Sequence, residues 1–424
     1  MAATTISMKE VKHLINYTID NNRKLEEDGK TPIAISLEAS AGIGKTSILQ
    51  QIAEERGMGF TKISLHEMEE SGDLLGFPQV EYECQVARKV KDADGNIKAQ
   101  VMPGTVWLNA KQMESSDKST MFRQTGKTRM GYAKPAWVPE YNENGNMVVL
   151  DDYVRANPQL LQSCMELILT QRYTSWSLPK KTTICLTNNP DDGTNNVNSL
   201  DEAQKTRFLN FEVAWDENAW AEWAEKAKVD GRCINFVMSY AGELFNADED
   251  GNRICNPRSF VMFSNMIQGV KDWDDPESLS FITTISKGCF KDDGGRFSKM
   301  FTTFLRNKMH LIIQPREMLL GKWSDVQPKL AALLYDSDGS PRPDISTLLE
   351  KRFSNFVSAW LDSDEKTPIA TVKDRIIDFI DSEEKGVRLF SRDSLYHMIK
   401  KITSEHKNQT NKLLFEPKIA NIIA

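Results

Sequence analysis

Ala39-Ser40-Ala41-Gly42-Ile43-Gly44-Lys45-Thr46 decides how the rest of the chain is read. Ahead of it, Ile33-Ala34-Ile35-Ser36-Leu37 is a short apolar run that predicts a buried strand, and behind it Thr46 to Glu55 has helical spacing. A Gly-rich turn between a strand and a helix lets successive backbone N–H groups curl around phosphate oxygens at the helix N-terminus, with a Lys ammonium reaching the β and γ phosphates. Nucleotide phosphate contacts are therefore assigned to Ala41, Gly42, Ile43, Gly44, Lys45, Thr46 and Ser47, with the Thr46 hydroxyl directed at Mg2+. A second Gly-Lys-Thr, at Gly126-Lys127-Thr128, has no preceding strand, and Gly131 and Pro135 follow it, so it is read as a chance match.

Further apolar runs at Phe60 to Leu65, Met147 to Leu150, Thr183 to Thr187 and Phe208 to Val213 bring the predicted strands to five. Helical patterns lie between several of them, which predicts an α/β fold with a parallel sheet covered on both faces. Ser7 and Glu10 form a capping box ahead of a helix burying Val11, Leu14, Ile15 and Ile19, and Asn157-Pro158 opens another over Pro158 to Thr170. Roughly Glu81 to Asn144 interrupts the pattern. Within it Tyr82 to Val86 and Ile97 to Val101 flank the turn-rich Asp92 to Asn96, predicting a β-hairpin insertion rather than a new domain. From Asp216 onward helices dominate, opening on Trp215, Trp220 and Trp223, with the last two spaced for a core face. Breaks are expected near Val213 to Asp216 and at Gln314-Pro315.

The chain has 424 residues and a net charge of −7, from 53 Lys and Arg against 60 Asp and Glu, which argues against a nucleic-acid surface working by bulk charge. The sequence contains neither an apolar stretch long enough to cross a membrane nor the basic, apolar and small-residue succession of an export signal near Met1, so a cytoplasmic location is expected. Cys84, Cys164, Cys185, Cys233, Cys255 and Cys289 make no Cys-x-x-Cys motif, and the histidines are equally dispersed. Buried thiols are expected, and no catalytic transition metal.

A phosphate loop needs an acidic partner at the end of a neighbouring strand, and Met147-Val148-Val149-Leu150-Asp151-Asp152 supplies one. Asp151 would hold Mg2+ and Asp152 would polarise the attacking water. With these residues in place the chain resembles the MoxR-like ATPases of the AAA+ superfamily, in the branch related to dynein-type modules. Asp73-Leu74-Leu75-Gly76, Pro135-Ala136-Trp137-Val138-Pro139, Val149 to Ala156, Leu186-Thr187-Asn188-Asn189-Pro190 and Glu202 to Phe208 carry the likeness, in that order, over about residues 30 to 265.

The resemblance implies a P-loop core over residues 1–215, an α-helical lid over 216–314 and a helical C-terminal extension over 315–424. It also implies that Asn189 is the sensor orienting the lytic water, that Arg207 is the finger reaching a neighbouring subunit's ATP, and that Arg258 is the lid sensor of the γ-phosphate. The insertion and a hairpin at Arg172 to Pro179 would then point to a central pore, where Trp176 either grips a partner or packs. A homo-oligomeric, hexameric ring that remodels a protein partner follows, with a von Willebrand A domain as the kind of partner and a bacterial or phage host. Two departures stand out. Asp152 occupies a position where the family usually has Glu, which implies slow turnover, and Ala39 replaces the usual Gly. A DNA-acting motor and an ATP-dependent assembly switch with little hydrolysis are the alternatives.

Overall fold

Strand and helix boundaries follow from which residues can be buried on two faces and which supply caps. In this computed structural model the described residues are 4–91, 97–114, 120–190, 200–246, 253–290, 295–336, 338–361, 369–384 and 387–423. They divide into two compact units, Met1–Ala214 and Trp215–Ala424.

The first unit runs β1 (Thr4–Ile6), α1 (Met8–Glu27), β2 (Ala34–Glu38), α2 (Lys45–Glu55), β3 (Gly59–Ser64) and α3 (Ser71–Leu75). It continues through β4 (Pro78–Lys91), β5 (Ile97–Leu108), α4 (Ala110–Glu114), β6 (Thr120–Tyr132), β7 (Asn146–Asp151) and α5 (Pro158–Thr170). The short pair β8 (Arg172–Tyr173) and β9 (Trp176–Ser177) precedes β10 (Thr182–Asn188), α6 (Glu202–Lys205) and β11 (Phe208–Val213). The central sheet has the order β1-β11-β2-β10-β7-β3 with every pairing parallel. It has six strands rather than five. The extra edge strand β1 carries only Thr4 to Ile6, too short for an apolar period to register in sequence.

Alternation along the strands sorts the core into two layers. Met147 and Val149 face one way, onto Val11, Ile15 and Ile19 of α1 and Leu49 and Ile52 of α2. Val148 and Leu150 face the other, onto Leu160, Leu161, Cys164 and Leu167 of α5. Ser7 and Glu10 form the capping box of α1, and the Asn157 side chain accepts the Leu160 N–H to start α5.

The insertion is larger than a hairpin. It forms a three-stranded antiparallel sheet of order β5-β4-β6, beginning at Pro78, while the expected turn Asp92 to Asn96 lies outside the described residues. Gly126-Lys127-Thr128 sits inside β6, with Thr128 paired to Tyr82 of β4 and Gly126, at φ 92°, in the irregularity beside it; no helix follows, and so it is no phosphate loop. Polar Thr, Arg, Gln and Lys fill β6, so its sequence lacks the apolar run that marked the other strands.

The second unit is helical and opens with α7 (Glu217–Lys226), capped by the Asp216 side chain on the Asn218 and Ala219 N–H groups. Then come α8 (Gly231–Phe245), α9 (Pro257–Ile267), α10 (Pro276–Cys289), α11 (Arg296–Arg306), α12 (Pro315–Leu320), α13 (Trp323–Leu334) and α14 (Pro343–Leu361). Further helices, among them Ile369–Asp381 and Arg392–Glu405, follow to Ile423. One apolar core runs from Trp220 to Ile422, across Gln314-Pro315, and a stack of phenylalanines including Phe236, Phe260, Phe297 and Phe301 forms its centre. Trp220 is buried in that core, while Trp223 keeps part of its ring in solvent. Arg352 of α14 is buried inside it and held by Glu225 at 2.7 Å, by the Gly231 carbonyl at 2.9 Å and by Asn235. No described helix is long and apolar enough to cross a membrane.

Candidate active site

Parallel strands deliver their C-terminal ends to one edge of a sheet, where ligands of open α/β folds bind. Here that edge collects the turn after β2, the end of β7 and the end of β10. Register explains why: Asn188 of β10 pairs with Glu38 of β2, and Leu186 pairs with Leu150 of β7.

The turn after β2 needs its glycines for backbone reasons. Gly42 and Gly44 adopt φ of 81° and 102°, a region that side-chain-bearing residues resist, and Gly44 is the residue from which α2 starts. Ala41 is exposed, Ile43 is partly buried against the α1 and α2 layer, and Ser47 is exposed on the first turn of α2. Lys45 is buried, and its Nζ donates to the Ala39 carbonyl at 2.7 Å, the Ser40 carbonyl at 3.2 Å and Asn189 Oδ1 at 3.1 Å. Ala39 itself is buried and donates its N–H to the Asn188 carbonyl at 3.1 Å, so a methyl group is accommodated where a bare glycine was expected.

Thr46 Oγ1 donates to Asp151 Oδ1 at 2.7 Å, joining the loop to the strand carboxylate. Thr187 Oγ1 donates to the same oxygen at 2.7 Å and accepts the Asp152 N–H at 3.2 Å. Lys62 Nζ lies 3.0 Å from Asp151 Oδ2. Burial works to raise the Asp151 pKa, but the hydrogen bonds from Thr187, Thr46 and Lys62 and the Lys62 charge outweigh it, and the carboxyl is held below its ordinary range. Asp152 follows in a left-handed conformation, φ 51°, with Asn189 Nδ2 donating to its Oδ1 at 3.1 Å and Arg155 Nη1 3.9 Å from its Oδ2. Asn188 accepts the Val154 N–H through Oδ1 at 3.3 Å and donates to Ser36 Oγ at 2.8 Å. Three consecutive residues at the end of β10 thus hold the turn that carries both carboxylates.

The loop, Asp151, Asp152 and Asn189 come together as the sequence predicts. Arg207 does not join them. It precedes β11 at the opposite edge of the sheet, where Phe208 pairs with Ala34, and its Nη1 donates to the Met165 carbonyl at 3.2 Å. Five residues at about 3.3 Å each separate that edge from the loop, roughly 17 Å. Arg258 is the second residue of α9, in the second unit, behind the Asn256 cap.

Three groups escaped the sequence reading in role: Thr187, Lys62 and Asn188. Thr187 and Asn188 stand beside Asn189 in the quoted motif, and only the register reveals that their side chains reach the Asp151 turn. Lys62 gave no signal, since a lone Lys in a half-exposed strand resembles any solvated position.

The donor set suits a hard divalent cation. Thr46 and Asp151 offer oxygen only, the ligand type that Mg2+ takes together with phosphate and water. Burial pushes the Cys164, Cys185 and Cys233 thiols up to about 12, which leaves them inert packing groups. Trp176 is buried, donating Nε1–H to the Leu75 carbonyl at 2.9 Å and meeting Trp137 edge-on. It packs, and offers no gripping surface.

No family model matches the chain, and no curated protein does. Among solved structures it is similar to the RuvB Holliday junction branch migration motor of Thermotoga maritima, at 11% identity and a TM-score of 0.34, over 80% of this chain and 87% of that one. It is also similar to a candidate ATPase of Cytophaga hutchinsonii, at 12% identity and a TM-score of 0.28, over 85% of this chain and 79% of that one. These likenesses are too distant to bear on function. The sheet order, the loop and the carboxylate turn are features of the chain itself.

Proposed function

We propose that the chain is a Mg2+-dependent ATPase of the AAA+ type that works as a homo-oligomeric, hexameric ring and couples ATP hydrolysis to remodelling of a partner protein, in the manner of the MoxR branch. The observation that carries this reading is the 2.7 Å bond between the Thr46 hydroxyl and Asp151, which ties a phosphate loop to an acidic strand end. Thr46 and Asp151 would hold Mg2+, which when bound neutralises charge on the β and γ phosphates.

Lys45 leaves Ala39 and Asn189 for the γ-phosphate. The Asp152 carboxylate accepts a proton from water as the water oxygen bonds to the γ-phosphorus. The bond from that phosphorus to the β–γ bridging oxygen breaks, and ADP leaves with the electron pair. Asn189, already on Asp152, fixes where that water sits. Arg207 is too far from its own loop to take part there, so a second copy must lend the cation, and Arg258 would read the γ-phosphate from the lid. A protein carrying a von Willebrand A domain is the partner this branch suggests, with the insertion as a docking surface for it and residues 315–424 either packing on the ring or carrying a partner-specific surface. The acidic net charge disfavours a DNA-acting motor.

One feature favours a second reading. Asp152 is a methylene shorter than Glu, which favours an assembly switch that binds ATP and scarcely splits it. Phosphate release by wild type and by Asp152→Glu separates the two. The motor predicts measurable wild-type turnover, and a ring that assembles with no turnover at any ATP concentration contradicts it.

A further inference from the structure

Asp151 has two oxygens, and they are used differently. Oδ1 takes the two threonine hydroxyls, Thr46 and Thr187, both at 2.7 Å, and Oδ2 takes an ammonium, Lys62 at 3.0 Å. Lys62 belongs to β3, the edge strand, whose Ser64 pairs with Asp151 and whose Lys62 pairs with Val149. Its side chain is 46% exposed against 16% for that of Asp151, so the ammonium approaches from the solvent side on a flexible stem.

A phosphate loop with its acidic strand end already has a cation for phosphate, Lys45, and needs none on the metal-bearing carboxylate. Mg2+ at Thr46 and Asp151 would meet the Lys62 charge within a few ångströms, and two cations on one carboxylate repel.

We propose that Lys62 is a resident counter-cation of the metal site: it occupies Asp151 Oδ2, keeps the carboxylate aimed at Thr46, and must swing into solvent before a divalent cation binds fully. Resting on the nucleotide-site reading above, this makes Lys62 a residue that lowers metal affinity and ties metal retention to the arrival of nucleotide, whose phosphates supply the compensating negative charge. It is a positioning residue and makes no contact with the reacting atoms.

The test is a Mn2+ titration of the full chain saturated with ADP, followed by the electron paramagnetic resonance signal of free Mn2+. Lys62→Met should bind Mn2+ on the order of tenfold more tightly than wild type, about 1.4 kcal/mol. Lys62→Arg, which keeps the charge, should stay close to wild type, and Lys62→Gln should follow Lys62→Met. Equal or weaker Mn2+ binding by both Lys62→Met and Lys62→Gln overturns the proposal. So does a loss of ADP affinity in EDTA for these variants, which would make Lys62 a phosphate ligand. Asp151→Asn is the control: if it leaves Mn2+ affinity at the wild-type value, the metal-site reading itself is wrong, an outcome distinct from the failure of Lys62.

Discussion

The central sheet buries β7 and β10 on both faces and places a functional side chain at the end of each, whereas β6 of the inserted sheet is exposed along most of its length. In the inserted sheet the cross-strand partners Val80 and Met130 are both exposed, as are Val101 and Met121 on either side of Ala87. Its fixed points lie at the base, where buried Glu81 binds Arg129 and the Tyr132 N–H donates to Ser175 Oγ at 2.9 Å. The difference teaches where precision is needed. Lys45, Asn189 and Asp152 form one hydrogen-bonded chain, and Thr46, Asp151 and Thr187 another, because the strands beneath them are held by two apolar layers. The insertion needs only an anchored base, so its far strands are free to carry polar residues.

Five experiments would break or sharpen that contrast. The largest effect is expected at Arg207: Arg207→Ala should bind ATP yet hydrolyse it about 10³-fold or more slowly, and mixing with Lys45→Ala subunits should restore part of the rate. No recovery in verified mixed rings removes the trans cation. Asp152→Asn should retain ATP and lose about 10² to 10⁴ of kcat, and a near-normal rate would mean that another group takes the proton. Thr187→Val, which keeps the volume but removes the donor to Asp151 and the acceptor for the Asp152 N–H, should lower kcat by about tenfold or more with little change in ATP affinity. Thr187→Ser should rescue it, and equal activity of Val and Ser would reduce Thr187 to packing.

The remaining two concern what should hardly change. A cut of Glu81 to Val101 would take most of β4, the middle strand, and the first part of β5, leaving most of β6 without a partner. Since Tyr82 and Thr128 are cross-strand partners, replacing Glu83 to Lys127 by Asn-Gly keeps the Glu81–Arg129 base. Basal hydrolysis in the folded variant should stay within about threefold of wild type while partner coupling falls, and a folded but inactive variant would make the insertion part of the catalytic unit. Asp151, with its pKa lowered on folding, contributes stability that is fully present above the ordinary carboxylate pKa and lost as pH falls through the folded value. The melting difference between wild type and Asp151→Asn should therefore be flat from about pH 6 to 8 and shrink only below about pH 4, and a change near neutrality would contradict the assigned charge state.

Much of this was legible in the sequence for a physical reason. Strands buried on both faces must be apolar, so Met147 to Leu150 and Thr183 to Thr187 declared themselves, and Gly42 and Gly44 marked a backbone that few other residues can adopt. Thr120 to Tyr132 stayed hidden because a strand exposed on both faces has no reason to alternate. Three residues of β1 are too few to show a period. The roles of Thr187, Asn188 and Lys62 depend on which strands are neighbours and in what register, information that no single segment contains. The buried Arg352 ties α14 to α7 and α8 within the second unit and was equally hidden, because only its partners distinguish it from a surface arginine.

The most direct test of the central claim is a crystal structure of the chain with Mg2+ and a non-hydrolysable ATP analogue. The prediction is that the triphosphate lies in the turn Ala39 to Thr46, with Lys45 Nζ moved from the Ala39 carbonyl and Asn189 to the γ-phosphate, and with Thr46 and Asp151 on the metal side. A nucleotide bound elsewhere, or Lys45 still held by Ala39 and Asn189 with the turn closed over itself, would contradict it.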